Sequence, residues 1–165
     1  MFALLDLNFT LAKVLYNDKR PLSVRIPQET YRAWIPKLLA RNEATVVITT
    51  ARPESAMEAT LARIKDQLDW EPDDAFFSQT PDGMPHHKKH DNLRRIVDKY
   101  GEPNAEELWF GLESNPRTRA MYLEYGIDSQ PVPRESYWRK LPEFSAYEPT
   151  RSFAAEANLP FSLPS

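Results

Sequence analysis

The sequence predicts an α/β protein, a Rossmann-like three-layer sandwich with a mostly parallel sheet and helices on both faces. Two observations carry that expectation. Short apolar or β-branched runs alternate with amphipathic stretches long enough for helices, the pattern of repeated strand–helix units. Polar residues with chemical potential stand just past those runs, at Asp6, Thr50, Glu113 and Ser114, where such sheets place their ligands.

Phe2-Ala3-Leu4-Leu5 opens the chain as a strand, and a polar linker from Tyr16 to Pro27 follows. Tyr31, Trp34, Ile35, Leu38 and Leu39 recur at helical spacing, with Pro36 predicting a kink or a later helix start. Thr45-Val46-Val47-Ile48-Thr49 is a continuous β-branched run suited to a buried parallel strand. Met57, Leu61, Ile64 and Leu68 share one face of a second helix. Ala75-Phe76-Phe77-Ser78 reads as a short strand before the turn Pro81-Asp82-Gly83. A third helix presents Leu93, Ile96, Val97 and Tyr100, and Gly101 stops it. Leu108-Trp109-Phe110-Gly111 is a fourth strand. Asn115 and Pro116 make a cap and first helical turn. That helix ends at Gly126, and Ser129 to Val132 forms an edge strand.

A chain of 165 residues is long enough for one domain with one proper core. Its formal net charge of −3 argues against a broadly basic nucleic-acid surface, but not against a local basic patch. The absence of cysteine excludes disulfides, thiolate zinc sites and cysteine nucleophiles. No apolar run approaches the roughly 20 residues of a membrane span. Asp6 interrupts the N-terminal apolar run too early for a signal peptide, so a cytoplasmic location is expected. Fifteen prolines against four glycines are unusual, and Pro131, Pro133, Pro142, Pro149, Pro160 and Pro164 exclude a long helix near the end. Aromatics such as Tyr137, Trp138, Phe144 and Tyr147 punctuate the same stretch. We read residues 1–133 as the domain and residues 134–165 as an extension that wraps over it, or docks on a partner or a second copy.

Asp6-Leu7-Asn8-Phe9-Thr10 delivers a carboxylate, an amide and a hydroxyl just past the first strand. Side chains alternate within a strand, but a chain that curls beyond its end can bring all three to one site. A carboxylate there serves as metal ligand, nucleophile or both; the plainer alternative is a strand running into a polar turn.

These residues resemble the first motif of the haloacid-dehalogenase-like superfamily, usually Asp-x-Asp-x-Thr. Ile48-Thr49-Thr50-Ala51-Arg52-Pro53-Glu54 is similar to its second motif, a strand ending in Ser or Thr. Lys88-Lys89 before the third helix resembles the third motif, a lone lysine. Gly111-Leu112-Glu113-Ser114, with a helix ending Glu124-Tyr125-Gly126-Ile127, resembles the fourth. Within the superfamily the chain resembles the 3′-phosphatase half of phage polynucleotide kinases. The resemblance implies that Asp6 attacks phosphorus to form an aspartyl-phosphate. A magnesium ion would offset the like charges, held by Asp6, the Asn8 carbonyl and an acidic group of the fourth motif. It further implies that Thr50 donates to the phosphoryl oxygens and that a lysine neutralises nucleophile and phosphate, with Lys89 preferred from its distance to Leu93. Thr10, Arg52 and Lys88 would contact substrate.

Two departures from the family pattern bear on catalysis. The second Asp of the first motif, which acts as acid and then base, is Asn8 here. Counted back from Gly126, the usual metal-binding Asp falls on Ser114, and counted forward from Gly111 it falls on Leu112, leaving Glu113 as the available carboxylate. The family's cap domains sit between motifs, and here both intervals are about 40 residues, too short for an inserted domain. A capless site admits a phosphate carried on a large molecule, and His86-His87-Lys88-Lys89-His90 with Arg94 and Arg95 would steer a polyanion. The same cluster also fits an ordinary polar surface, and no spacing supports a dedicated zinc site. The expectation is therefore a magnesium-dependent phosphohydrolase acting on a nucleotide or polynucleotide-end phosphate. The rival is a degenerate domain that binds a phosphorylated ligand, nucleic acid or protein without turnover.

Overall fold

The computed structural model describes residues 1–14 and 18–132. Five strands form one sheet: β1 (Phe2–Leu5), β2 (Thr45–Pro53), β3 (Asp74–Ser78), β4 (Trp109–Leu112) and β5 (Asp128–Gln130). Their order is β3-β2-β1-β4-β5, and every neighbouring pair is parallel. The sheet is thus all-parallel rather than mostly so. The chain builds outward from β1 to β3, then returns to the other side of β1 for β4 and β5. That reversal opens a crevice between the carboxyl ends of β1 and β4, where open α/β sheets bind ligands.

Period-2 alternation divides each strand between two cores. Ala3, Leu5, Val46, Ile48, Phe77, Phe110 and Leu112 face one core. It is closed by Ile35, Leu38 and Leu39 of α2 (Trp34–Arg41) and Ile64 of α3 (Met57–Leu68). Phe2, Leu4, Val47, Phe76 and Trp109 face the other. Leu93 and Ile96 of α4 (Pro85–Tyr100) cover it, with Tyr122 of α5 (Pro116–Glu124). Burying both faces explains why these strands read as unbroken apolar runs.

Local chemistry accounts for the element ends. The helix expected from Tyr31 starts later, at Trp34, so Pro36 falls in its first turn, where a missing N–H costs no hydrogen bond. Tyr31 instead pairs with Ala12 in an antiparallel bridge. The linker before it holds a single helical turn, α1 (Leu22–Arg25), and a 3-10 turn over Ile26–Gln28. Asn115 caps α5 by accepting from the Arg117 N–H at 2.9 Å, with Pro116 next. β2 continues four residues past the expected strand, from Thr49 to Pro53, and its register against β3 shifts there. Residues 133–165, including the proline-aromatic stretch, lie outside the described residues.

Candidate active site

Asp6 is the first residue beyond β1, and its N–H donates to the Leu112 carbonyl at 2.9 Å. Leu5 pairs with Leu112, so Asp6 and Glu113 leave the sheet side by side. The chain then folds back on itself. Ala12 N–H donates to the Leu7 carbonyl at 2.7 Å and Phe9 adopts φ +63°, a left-handed conformation uncommon for a non-glycine residue. The buried Arg32 guanidinium fastens this loop by donating to the Thr10 carbonyl at 2.6 Å. As a result the Thr10 hydroxyl returns to Asp6 Oδ2 at 2.8 Å.

The Asp6 carboxylate is buried and fully engaged. Oδ1 accepts from the Leu7 N–H at 2.8 Å and from Lys89 Nζ at 2.5 Å. Oδ2 accepts from Thr10, from the Ser114 N–H at 3.3 Å and from Ser114 Oγ at 2.7 Å. Lys89, in the first turns of α4, also reaches Glu113 Oε2 at 2.5 Å. One ammonium therefore lies between two carboxylates. Burial pushes the Lys89 pKa down, but Asp6 and Glu113 outweigh it and hold the group above a lysine's usual value. Burial and the neighbouring Asp6 charge push the Glu113 carboxyl up to about 7, against the opposing pull of Lys89 and the Asn115 N–H.

Asn8 splits its two ends between different partners. Its carbonyl lies 3.1 Å from Ser114 Oγ, beside Asp6 Oδ2. Its side-chain Oδ1 turns away and accepts from Arg52 Nε at 3.1 Å and Nη2 at 2.8 Å. Arg52 is buried, and its guanidinium also engages both Glu29 carboxylate oxygens and Thr60 Oγ1 at 3.4 Å. The convergence expected of Asp6, Asn8 and Thr10 thus holds for the Asp6 and Thr10 side chains and the Asn8 backbone, while the Asn8 side chain joins Arg52.

The remaining candidates divide by position. Thr50 is buried within β2, at the register shift, where its Oγ1 accepts from the Arg52 N–H at 3.2 Å. Lys88 points to the Pro81 carbonyl at 3.0 Å, away from the Lys89 pair. His90 Nε2 is 2.7 Å from the Tyr125 hydroxyl. His86 and His87 rings lie 4.1 Å apart, tilted by 49°, and the His86 pKa is pushed down by burial, His87 and Arg117.

Asp6 Oδ2 and the Asn8 carbonyl both contact Ser114 Oγ, an all-oxygen set of the hard donors that magnesium takes. Glu113 stands behind this set, with Oε2 on Lys89 and Oε1 on the Asn115 N–H at 2.8 Å. Among the described residues no group of three or more His, Cys, Asp or Glu side chains gathers as a metal cluster. The donors fit a magnesium ion that keeps several waters and takes substrate phosphate as a further ligand. They supply one carboxylate where a tight site has more.

Four further residues build the site without a sequence motif to mark them. Glu29 balances Arg52, and Arg32 ties the Thr10 loop. Asn92, one turn past Lys89, donates to the Thr50 carbonyl at 2.9 Å and the Phe76 carbonyl at 3.0 Å, covering the break in β2–β3 pairing. Arg119 Nη1 donates to the Glu113 and Ser114 carbonyls at 2.9 and 3.0 Å. The i, i+3 spacing of Lys89 and Asn92 was the readable signal; the others pair across elements far apart in sequence. Beside Ser114 lies a cavity of about 490 Å³, also lined by Phe9, Asn115, Pro116, Arg119 and Val132.

No family model and no curated protein matches the chain. Among solved structures it is similar to chains described as "Structure of the Pnkp1/Rnl/Hen1 RNA repair complex" and "Structure of Pnkp1/Rnl/Hen1 complex". Each match has a TM-score of 0.60 and 16% identity over 80% of this chain. The chain spans 42% and 45% of those chains, less than half their length. At this identity the likeness is one of fold. Among the described residues no helix is long and apolar enough to cross a membrane.

Proposed function

We propose that this chain is a haloacid-dehalogenase-like phosphohydrolase, magnesium-dependent, that acts through an aspartyl-phosphate on a nucleotide or polynucleotide-end phosphate. The observation that carries the proposal is the Asp6 carboxylate at the β1–β4 switch point, set against Lys89 on one oxygen and against Ser114 on the other, with the Asn8 carbonyl beside Ser114. An Asp buried at this point, with a lysine shared by a second carboxylate, is arranged for charge that arrives with substrate rather than for packing.

Asp6 would attack phosphorus in line with the leaving oxygen. Magnesium, when bound by Asp6, the Asn8 carbonyl and Ser114, supplies the charge that lets an anion approach an anion. Lys89 would turn part of its charge to the phosphoryl oxygens while Glu113 keeps its position. Thr10 and the Leu7 N–H hold the carboxylate's orientation, which favours a near-attack geometry. Thr50 lies at the end of the regular β2–β3 pairing, where its hydroxyl would serve the phosphoryl group. Arg52, buried among Asn8, Glu29 and Thr60, is assigned to positioning rather than to direct contact.

The choice of a nucleotide or nucleic-acid end is supported by three things. The fold resembles chains of an RNA repair complex. The intervals between motifs leave no room for a cap over the crevice. The cavity lined by Ser114, whose hydroxyl bonds to Asp6, is within the range of ligand sites. We further propose residues 1–133 as the catalytic domain, with residues 134–165 as a docking extension. The second reading, a phosphate-binding domain without turnover, draws on the neutral Asn8 and Ser114 and on the one carboxylate, Asp6, in the oxygen set.

Phosphate release from a panel of nucleoside triphosphates, phosphorylated oligonucleotides and para-nitrophenyl phosphate, with and without magnesium, tests the proposal. Turnover that needs magnesium and disappears in Asp6→Asn supports the enzyme. Tight binding of the same compounds without release supports the second reading.

A further inference from the structure

We infer that Arg119 receives a second phosphate of the substrate, the neighbour of the one that faces Asp6. The inference rests on the function proposed above for the phosphate at Asp6, and deepens it. The site then selects nucleotides that carry a second phosphate, in anhydride or phosphodiester linkage, over single phosphomonoesters.

One residue spans the two positions. The Ser114 hydroxyl is 2.7 Å from Asp6 Oδ2, and the Ser114 carbonyl accepts from Arg119 Nη1 at 3.0 Å. The same Nη1 donates to the Glu113 carbonyl at 2.9 Å. These two carbonyls hold one corner of the guanidinium. Nε and Nη2 are left without a partner among the described residues. They form the edge of an arginine that grips two oxygens of a phosphate at once, so in Arg119 that fork is intact. Arg52 has spent the same edge on Asn8 Oδ1. Lys89 and Arg52 are each neutralised by carboxylates, whereas among the described residues no carboxylate pairs with Arg119. Holding two carbonyls needs one donor; it leaves both the fork and the charge unused.

The surroundings of Arg119 fit a nucleotide. Arg119 is half-buried and lines the cavity of about 490 Å³. Phe9, Pro116, Pro131 and Val132 line it too. Apolar walls with a few polar groups that fix orientation are the make-up of a ligand site. A sugar and base find carbon surface here, while the guanidinium takes the phosphate oxygens. Phe9 holds φ +63°, a conformation that a bulky residue rarely takes. Backbone strain of this kind gathers at ligand sites, and here it falls on a wall of the cavity. A ligand whose first phosphate meets Asp6 has its next phosphate within reach of Arg119, because Ser114 touches both residues. A ligand with one phosphate leaves the fork unfilled.

Calorimetric titration in magnesium tests this, in an Asp6→Asn background so that bound ligand is not consumed. Adenosine 5′-diphosphate is compared with adenosine 5′-monophosphate, and a diadenylate with a terminal 3′-phosphate is compared with adenosine 3′-monophosphate. Each pair is titrated with Arg119 intact, with Arg119→Lys and with Arg119→Met. With Arg119 intact, the second phosphate is expected to tighten binding about 10–100-fold in at least one pair, the gain from a charge-assisted contact. Arg119→Met should remove that gain. Arg119→Lys should keep only part of it, since an ammonium is a point charge without a fork. A gain confined to the diphosphate assigns a polyphosphate, and one confined to the dinucleotide assigns a polynucleotide end. No gain in either pair, or a gain that survives Arg119→Met, overturns the inference. Equal weakening of all four ligands in both variants also overturns it, because Arg119 then only holds the Glu113 and Ser114 carbonyls. Phosphate release by the natural protein is measured in parallel. No release, with the Arg119-dependent gain intact, overturns the phosphohydrolase reading and leaves the second-phosphate site standing.

Discussion

Asn8 and Ser114 are neutral where the resemblance places carboxylates, and their surroundings give them different parts. Ser114 Oγ touches both Asp6 Oδ2 and the Asn8 carbonyl, whereas Glu113 is taken up by Lys89 and the Asn115 N–H. Restoring a charge at position 114 should therefore matter more than removing one at 113. Ser114→Asp is expected to tighten magnesium binding about tenfold or more, since ligand charge sets affinity, as read by calorimetric titration; an unchanged affinity would place the ion elsewhere. Glu113 gives a pH signature. Its carboxyl titrates near 7 in the folded state against an ordinary value of 4.5. Between those values the folded protein keeps a proton that the unfolded chain has lost. The unfolding free energy of the metal-free protein should then fall as pH rises from about 4.5 to about 7, and level off above. Denaturant titrations across this range should show that fall, and Glu113→Gln should remove most of it. Equal slopes in both proteins would contradict the assignment.

At the scale of elements, the site depends on two places where the backbone departs from regularity. The break in β2–β3 pairing after Thr49 leaves carbonyls that Asn92 satisfies from α4. Asn92→Leu should cost about 1–3 kcal/mol, the penalty for stranding buried acceptors, measured by urea unfolding. A loss near zero would mean that the break finds other donors. β4 and β5 lie close together at Gly111, where a Cβ would stand 2.9 Å from Ser129 Cβ. Gly111→Ala should cost a similar ~1–3 kcal/mol by overpacking; an unchanged unfolding midpoint would show that the edge strand moves aside freely. The strands themselves were legible because both their faces are buried and each reads as a continuous apolar run. The direction of the Asn8 side chain was not. Strand alternation stops at Leu5, and the left-handed turn at Phe9 then decides where each side chain goes. The Arg52–Glu29 pair was equally hidden, since 23 residues separate its members and neither lies in an apolar pattern.

For the whole molecule, the strand order fixes where chemistry can occur. β1 lies at the centre, and the chain leaves it first toward β3 and later toward β5. The crevice between the ends of β1 and β4 is the consequence, and Asp6, Lys89, Glu113 and Ser114 meet there from three separate elements and their loops. For Asp6, Glu113 and Ser114 that meeting was legible from polar residues just beyond apolar runs, and for Lys89 only through the resemblance, whereas the division of labour between Glu113 and Ser114 needed the register of β4 against β1. On the function proposed above, Asp6 accepts a phosphoryl group beside a magnesium ion. The most direct measurement is a crystal structure of the protein soaked with magnesium and beryllium trifluoride. The predicted result is the mimic bonded to an Asp6 carboxylate oxygen, an ion held by Asp6, the Asn8 carbonyl and Ser114, and Lys89 turned to a fluorine. A mimic bound away from Asp6, or a crevice empty at saturating concentrations of both, would contradict it.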